Sequence, residues 1–279
     1  MILRWLALAL AAVGASSAQT PAEKSNVVAR IALLSDPHTT RGTAEDQPSY
    51  RGRLDRVIAA INEERVDLVL IAGDLTQNGK AEEFDDFAAQ IKNFRAPVLV
   101  TPGNHDLGPK LIPGKPEGPS AERVALFEQK VGPSYFVRVV AGVRVIGVNS
   151  PVLGSELPVE TAMWRSLEAE LAEPTELPSV AFLHYPPFVK TADEPGGVYW
   201  NFEPEPRARL LALLKRGGVR TVLSGHLHRP LSNRHDGLLF VSTLPVSFGL
   251  PRGKQPQGWT LVTLRRDAEA LFEFRTVND

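Results

Sequence analysis

Six short runs of Val, Ile, Leu and Ala recur along the chain: ARIALLS (29–35), VDLVLIA (66–72), APVLVT (96–101), VRVIGVN (143–149), PSVAFLH (178–184) and VRTVLS (219–224). Their nearly unbroken apolar character is that of strands buried on both faces. Between them, apolar residues return at helical spacing. In 51–64 the apolar stripe is Leu54, Val57, Ile58 and Ile61, and 81–94, 121–131, 160–171 and 205–216 repeat the pattern. Strands alternating with helices predict an α/β architecture. The last segment changes character: from Arg234 onward HDGLLFVST, GWTLVTLRRD and AEALFEFRTV read as β-hairpins or a meander. Two Pro/Gly-rich loops, 107–120 and 185–200, are long enough to suggest a functional role. Tyr185, Phe188, Tyr199, Trp200 and Phe202 gather around the second. They read either as a surface on which a base stacks or as packing for the loop. No repeat or linker divides the chain, so one domain is expected over 27–279.

Composition narrows the function classes. Apolar residues make up 43% and charged residues 23% of 279, and the formal net charge is −1. That balance, without a Lys/Arg cluster, argues against a nucleic-acid polymer as partner. The N-terminus stands apart: Arg4 precedes an apolar run from Trp5 to Val13, and Ser16-Ser17-Ala18 fits a signal-peptidase site. The run is short for a stable membrane span. Residues 1–18 therefore read as a signal peptide, and the mature protein as exported, to the periplasm or beyond. There are no cysteines, which rules out disulfides and thiolate metal sites. A metal centre here has to use His, Asp, Glu and Asn, a hard or borderline set.

The candidate chemistry lies where the strands end. ARIALLS runs into Asp36-Pro37-His38, VDLVLIA into Gly73-Asp74 and APVLVT into Gly103-Asn104-His105-Asp106. PSVAFLH ends on His184, and VRTVLS runs into Gly225-His226-Leu227-His228. Each piece alone has an ordinary structural explanation, as a helix cap, a turn or a hydrogen-bonded core histidine. Together they do not: five of the six histidines fall in these strand ends, and only His235 lies outside. Ligands in open α/β sheets bind at the carboxyl ends of strands. Two carboxylates, an amide and up to five imidazoles at one crevice suffice for two metal ions.

The order D-x-H, G-D, G-N-H-D, H, G-H-x-H over residues 36–228 resembles the calcineurin-like binuclear metallophosphoesterases. The resemblance implies two facing mixed β-sheets flanked by helices, a four-layer α/β/β/α sandwich. It implies Asp36, His38 and His228 on one metal, Asn104, His184 and His226 on the second, and Asp74 bridging. His105 is then not a ligand but a group facing substrate, with Asp106 orienting it. The chemistry implied is hydrolysis of a small phosphoester, in which a hydroxide shared by two metals roughly 3.5–4 Å apart attacks phosphorus in line and an imidazolium protonates the departing oxygen. Iron, manganese and zinc all suit the ligand set.

The stretch GDLTQNGKAEEF (73–84) is similar to a segment of the class III cyclic-nucleotide phosphodiesterases. This points to a small phosphodiester, of cyclic-nucleotide or glycerophosphodiester type. Within it Thr76, Gly79 and Phe84 read as a turn and a packed helix. Purple acid phosphatases place a tyrosine three residues after the bridging aspartate; here Gln77 stands there, which argues against a tyrosinate–iron site. Two alternatives stay open: a phosphomonoesterase on the same site, and a binding module that kept the fold and lost the chemistry. The second predicts a broken GNHD motif, whereas His105 is present.

Overall fold

The computed structural model describes residues 26–42, 49–266 and 269–277; the signal-peptide reading of 1–18 lies outside them. Eleven strands form two mixed sheets among the described residues. The first runs β11 (Leu271–Thr276), β10 (Gly258–Arg265), β1 (Val27–Leu34), β2 (Leu68–Ala72), β3 (Val98–Thr101). The second runs β4 (Phe136–Val140), β5 (Val143–Gly147), β6 (Ser179–Phe182), β7 (Thr221–Ser224), β9 (Leu238–Ser242), β8 (Leu231–His235). β1, β2 and β3 are mutually parallel, as are β5, β6, β7 and β9.

The unbroken apolar runs are explained by how alternate residues divide. On β1, Ile31 and Leu33 enter a cluster with Val145, Val180, Phe182 and Leu223 of the other sheet. Ala32 and Leu34 instead join the cluster that holds Leu54, Val57, Ile58, Ile61, Phe84 and Phe87 of the helices. β2 splits in the same way, Leu68, Leu70 and Ala72 inward, Val69 and Ile71 outward. Alternate side chains leave opposite faces of a strand, so each run feeds both the sheet–sheet core and a helix–sheet core. The four-layer sandwich follows.

Helices α1 (Arg51–Glu64), α2 (Ala81–Ile91), α4 (Ala121–Lys130), α5 (Pro158–Glu170) and α6 (Pro204–Arg216) occupy the expected segments. A short α3 (Asn104–Leu107) begins inside the GNHD turn. α5 and α6 each start at a proline, whose missing N–H costs nothing in a first turn. Two differences from the sequence reading stand out. The sequence reading does not include β4; it is an edge strand, half-buried or exposed along its length although its sequence, FVRVV, is mostly apolar. The C-terminal meander divides between sheets, β8–β9 closing one and β10–β11 closing the other.

Candidate metal centre

The strand ends bring the histidines and carboxylates of both sheets to one place. Asp36 and His38 follow β1, Asp74 follows β2, Asn104 and His105 follow β3, His184 follows β6, and His226 and His228 follow β7. Two groups of ligand atoms result, each within 4.8 Å of one another: Asp36, His38, Asp74 and His228, and Asp74, His184 and His226. Asp74 belongs to both, and every one of these side chains is buried. Asn104 joins the second group, its Oδ1 lying 3.1 Å from His184 Nε2.

The backbone is bent to aim them. Of nine non-glycine residues with positive φ among the described residues, five are Asp36, His38, Asp74, His226 and His228. Left-handed conformations of this kind cost about 1–3 kcal/mol each and persist where the surroundings impose them. Hydrogen bonds between turns do so here: Asp36 N donates to Gly73 O, His38 N to Asp74 O and His226 N to Asp36 Oδ2. The motif glycines are required by proximity. A Cβ on Gly73 would lie 2.6 Å from the His184 ring, and one on Gly103 would collide with Asp74.

Three imidazoles are turned by main-chain carbonyls. His184 Nδ1 donates to Ala72 O, His228 Nδ1 to Phe248 O and His226 Nε2 to Tyr199 O. Each outer nitrogen is thus spent, and the inner nitrogen faces the centre, the arrangement that fixes the tautomer of a metal-bound histidine. The Asn104 amide is oriented likewise, its Nδ2 donating to Tyr199 Oη at 3.0 Å. Tyr199 therefore sets two donors of the second group. On the inside, His38 Nε2 and His228 Nε2 stand 3.2 Å apart, as do His226 Nδ1 and His184 Nε2. Asp36 Oδ1 is buried and accepts no hydrogen bond, although His228 Nε2 is 3.3 Å away. Paired lone-pair donors and an orphaned carboxylate oxygen fit cations between them.

The electrostatics agree. Burial pushes Asp36 up, but the charge of His228 beside it, with that of His184, outweighs this and holds the carboxyl at about 2. Burial also opposes ionisation of Asp74, yet His184, His105 and His38 hold it well below the usual range. Burial lowers His184, and Asp74 at 3.2 Å more than reverses this, raising it to about 9. Both nitrogens of that ring face acceptors, which is how an imidazolium sits. A bound cation would replace its inner proton. Burial drives His38 down to about 3, so that ring offers a lone pair.

His105 and Asp106 stand outside both ligand groups. The His105 backbone N–H donates to Asp74 Oδ1 at 2.8 Å, and its Nδ1 meets Gln77 O at 2.6 Å. The ring stands edge-on to His38, centroids 4.5 Å apart, beside the two groups and outside both. Asp106 does not orient it, contrary to the expectation from the resemblance. The Asp106 carboxylate accepts from Gly103 N, Leu75 N, Thr76 N and Thr76 Oγ1. It ties the GNHD turn to the turn after Asp74, and Thr76 and Gly79 belong to that same knot. Asp106→Ala would leave three buried N–H groups without an acceptor, at about 1–3 kcal/mol each. We expect a loss of about 3–5 kcal/mol and a fall in Tm of roughly 10 °C in thermal melts. A fall of under about 3 °C would remove Asp106 from the framework.

Of the five loop aromatics, Tyr185, Phe188 and Phe202 are buried core residues. Tyr199 and Trp200 line the rim, their rings 4.8 and 5.6 Å from His226. The carbonyl orienters Ala72, Phe248 and Tyr199 were absent from the sequence reading, since a carbonyl carries no side-chain signal.

Comparison with known proteins follows the same line. The family model for calcineurin-like phosphoesterases matches residues 29–230. A Danio rerio serine/threonine-protein phosphatase, CPPED1, is 30% identical over 213 residues, 70% of this chain and 64% of the relative. The chain thus spans less than two thirds of that protein's length. The Escherichia coli 3',5'-cyclic adenosine monophosphate phosphodiesterase CpdA is 28% identical over 244 residues, 83% of this chain and 81% of the relative. The crystal structure of a dimetal phosphatase from Danio rerio superposes with a TM-score of 0.59 at 14% identity, covering 88% of this chain and 99% of that one, which establishes likeness of fold. The chain belongs to the calcineurin-like phosphoesterase family.

Proposed function

We propose that the protein is a metal-dependent hydrolase of small phosphodiesters. The observation that carries this reading is the pair of buried ligand groups sharing Asp74, with His105 beside them. Asp36, His38 and His228 would hold one cation, Asn104, His184 and His226 the other, and Asp74 both. Iron, manganese and zinc fit carboxylate and imidazole donors. Bound there, the cations supply Lewis-acid charge and an activated water. His105, held through Nδ1 by the Gln77 carbonyl, keeps Nε2 for the ester oxygen that departs and would supply its proton. No other histidine sits beside the ligand groups without belonging to one.

The name of the Escherichia coli relative supports a diester, and that of the zebrafish relative supports a monoester as the second reading. Purified protein loaded with manganese should hydrolyse bis(4-nitrophenyl) phosphate with kcat/KM at least about tenfold above that for 4-nitrophenyl phosphate. The reverse preference would make it a phosphomonoesterase. A diester of nucleotide or glycerol type is within the reading.

Export is part of the same proposal. Arg4, the apolar run to Val13 and Ser16-Ser17-Ala18 support cleavage before Gln19. N-terminal sequencing of protein from its native host should begin near Gln19; an intact Met1 would contradict it. Among the described residues no helix is long and apolar enough to cross a membrane.

A further inference from the structure

A cavity of about 750 Å³ opens beside the metal centre, within the range of small-molecule sites. Its walls include Val198, Trp200, Leu227 and Leu250. Three of these residues are attached to the centre. Leu227 lies between His226 and His228, Leu250 N donates to His228 O at 2.9 Å, and the Trp200 ring is 5.6 Å from that of His226. Trp200 and Val198, two residues apart, are 43% and 40% exposed, so the cavity presents apolar surface to solvent.

The polar groups in the wall say what the occupant is. Glu194 is already committed: its carboxylate accepts from Val189 N, Lys190 N and Asn201 Nδ2. Asn201, which donates there, is 2% exposed. The remaining charged side chains are the cations Lys190 and Arg229. Asn201 Oδ1, buried and without a partner, is the one uncommitted acceptor among these side chains, so a nucleobase here would find few partners for its amino and ring nitrogens, and an unpaired buried polar group costs about 1–3 kcal/mol. A hydrocarbon group has no such need, while the two cations suit the charge of the phosphoryl group it carries.

We propose that this cavity takes one ester substituent of the substrate, and that the substituent is an alkyl or aryl group without hydrogen-bonding atoms. The proposal rests on the phosphoesterase reading. Trp200 is its specificity-determining residue, offering the largest apolar face in the wall. The substrate class is then a phosphoester of a hydrophobic alcohol or phenol, in preference to a nucleotide.

Alkylphosphonates test this, since each carries a single organic group. Their inhibition constants against bis(4-nitrophenyl) phosphate hydrolysis should fall by about two- to fourfold per methylene from methyl to hexyl, as expected for burial of CH₂ groups. In Trp200→Ala the series should flatten, the hexyl compound losing at least about tenfold more than the methyl compound. Leu250→Ser should act in the same direction. Inhibition constants independent of chain length, with hydrolysis intact, would overturn the proposal and leave the phosphoesterase reading standing. Adenosine 5′-monophosphate binding more tightly than hexylphosphonate, and losing this in Trp200→Ala, would put a base in the cavity and overturn it too. No hydrolysis of the diester by metal-loaded protein would sink both.

Discussion

Asp74→Ala is expected to lower kcat/KM on bis(4-nitrophenyl) phosphate by at least about 10³-fold, roughly 4 kcal/mol of transition-state stabilisation. Asp74 is the one side chain common to both ligand groups. Its Oδ2 faces His184 at 3.2 Å and His38 at 3.6 Å, one from each group. Its Oδ1 accepts the His105 backbone N–H, so the same carboxylate also seats the GNHD turn. Removing it strips a negative charge from two cation positions at once. Asp36→Ala provides the contrast, because Asp36 belongs to one group only. It should chiefly weaken one cation position and be partly rescued by raising the metal concentration. Equal rescue of the two variants would mean that Asp74 has no special place.

His105→Ala should keep its metals and lose about 10²–10⁴-fold in kcat/KM on alkyl diesters, the usual contribution of a general acid. On a nitrophenyl diester the loss should be distinctly smaller, since a nitrophenolate departs with little protonation. The geometry separates this residue from the ligands. Its ring lies edge-on to His38 and is fixed by the Gln77 carbonyl, not by either ligand group. Comparing kcat/KM for both substrates reports on transition-state stabilisation in each case. Equal losses, with metals retained, would make His105 a stabiliser of phosphoryl charge and not a proton donor. Loss of metal would return it to the ligand set.

Much of this was legible because the chemistry sits on side chains at strand ends. The runs ARIALLS and VDLVLIA announced strands buried on both faces, and their alternate residues do enter two different cores. The concentration of histidine at those ends announced the site. What stayed hidden depends on groups that a sequence does not distinguish. The carbonyls of Ala72, Tyr199 and Phe248 select which nitrogen of three imidazoles faces inward, and any residue has a carbonyl. Asp106 stands next to His105 in sequence, which suggested a partnership, but the tight turn points its carboxylate at the backbone of Gly103, Leu75 and Thr76. β4, FVRVV, is mostly apolar yet half-buried or exposed, since an edge strand is paired on one side only. The aromatic loop mixed two roles that spacing could not separate: Tyr185, Phe188 and Phe202 fill the core, while Tyr199 and Trp200 stand at the rim.

The most direct test of a shared two-cation centre is the metal content of the wild type and of Asp74→Ala, measured by mass spectrometry after saturation with manganese and desalting. We expect two ions per chain in the wild type and a loss at both positions in the variant. One ion per chain in the wild type, or two still bound at full occupancy in Asp74→Ala, would contradict the account.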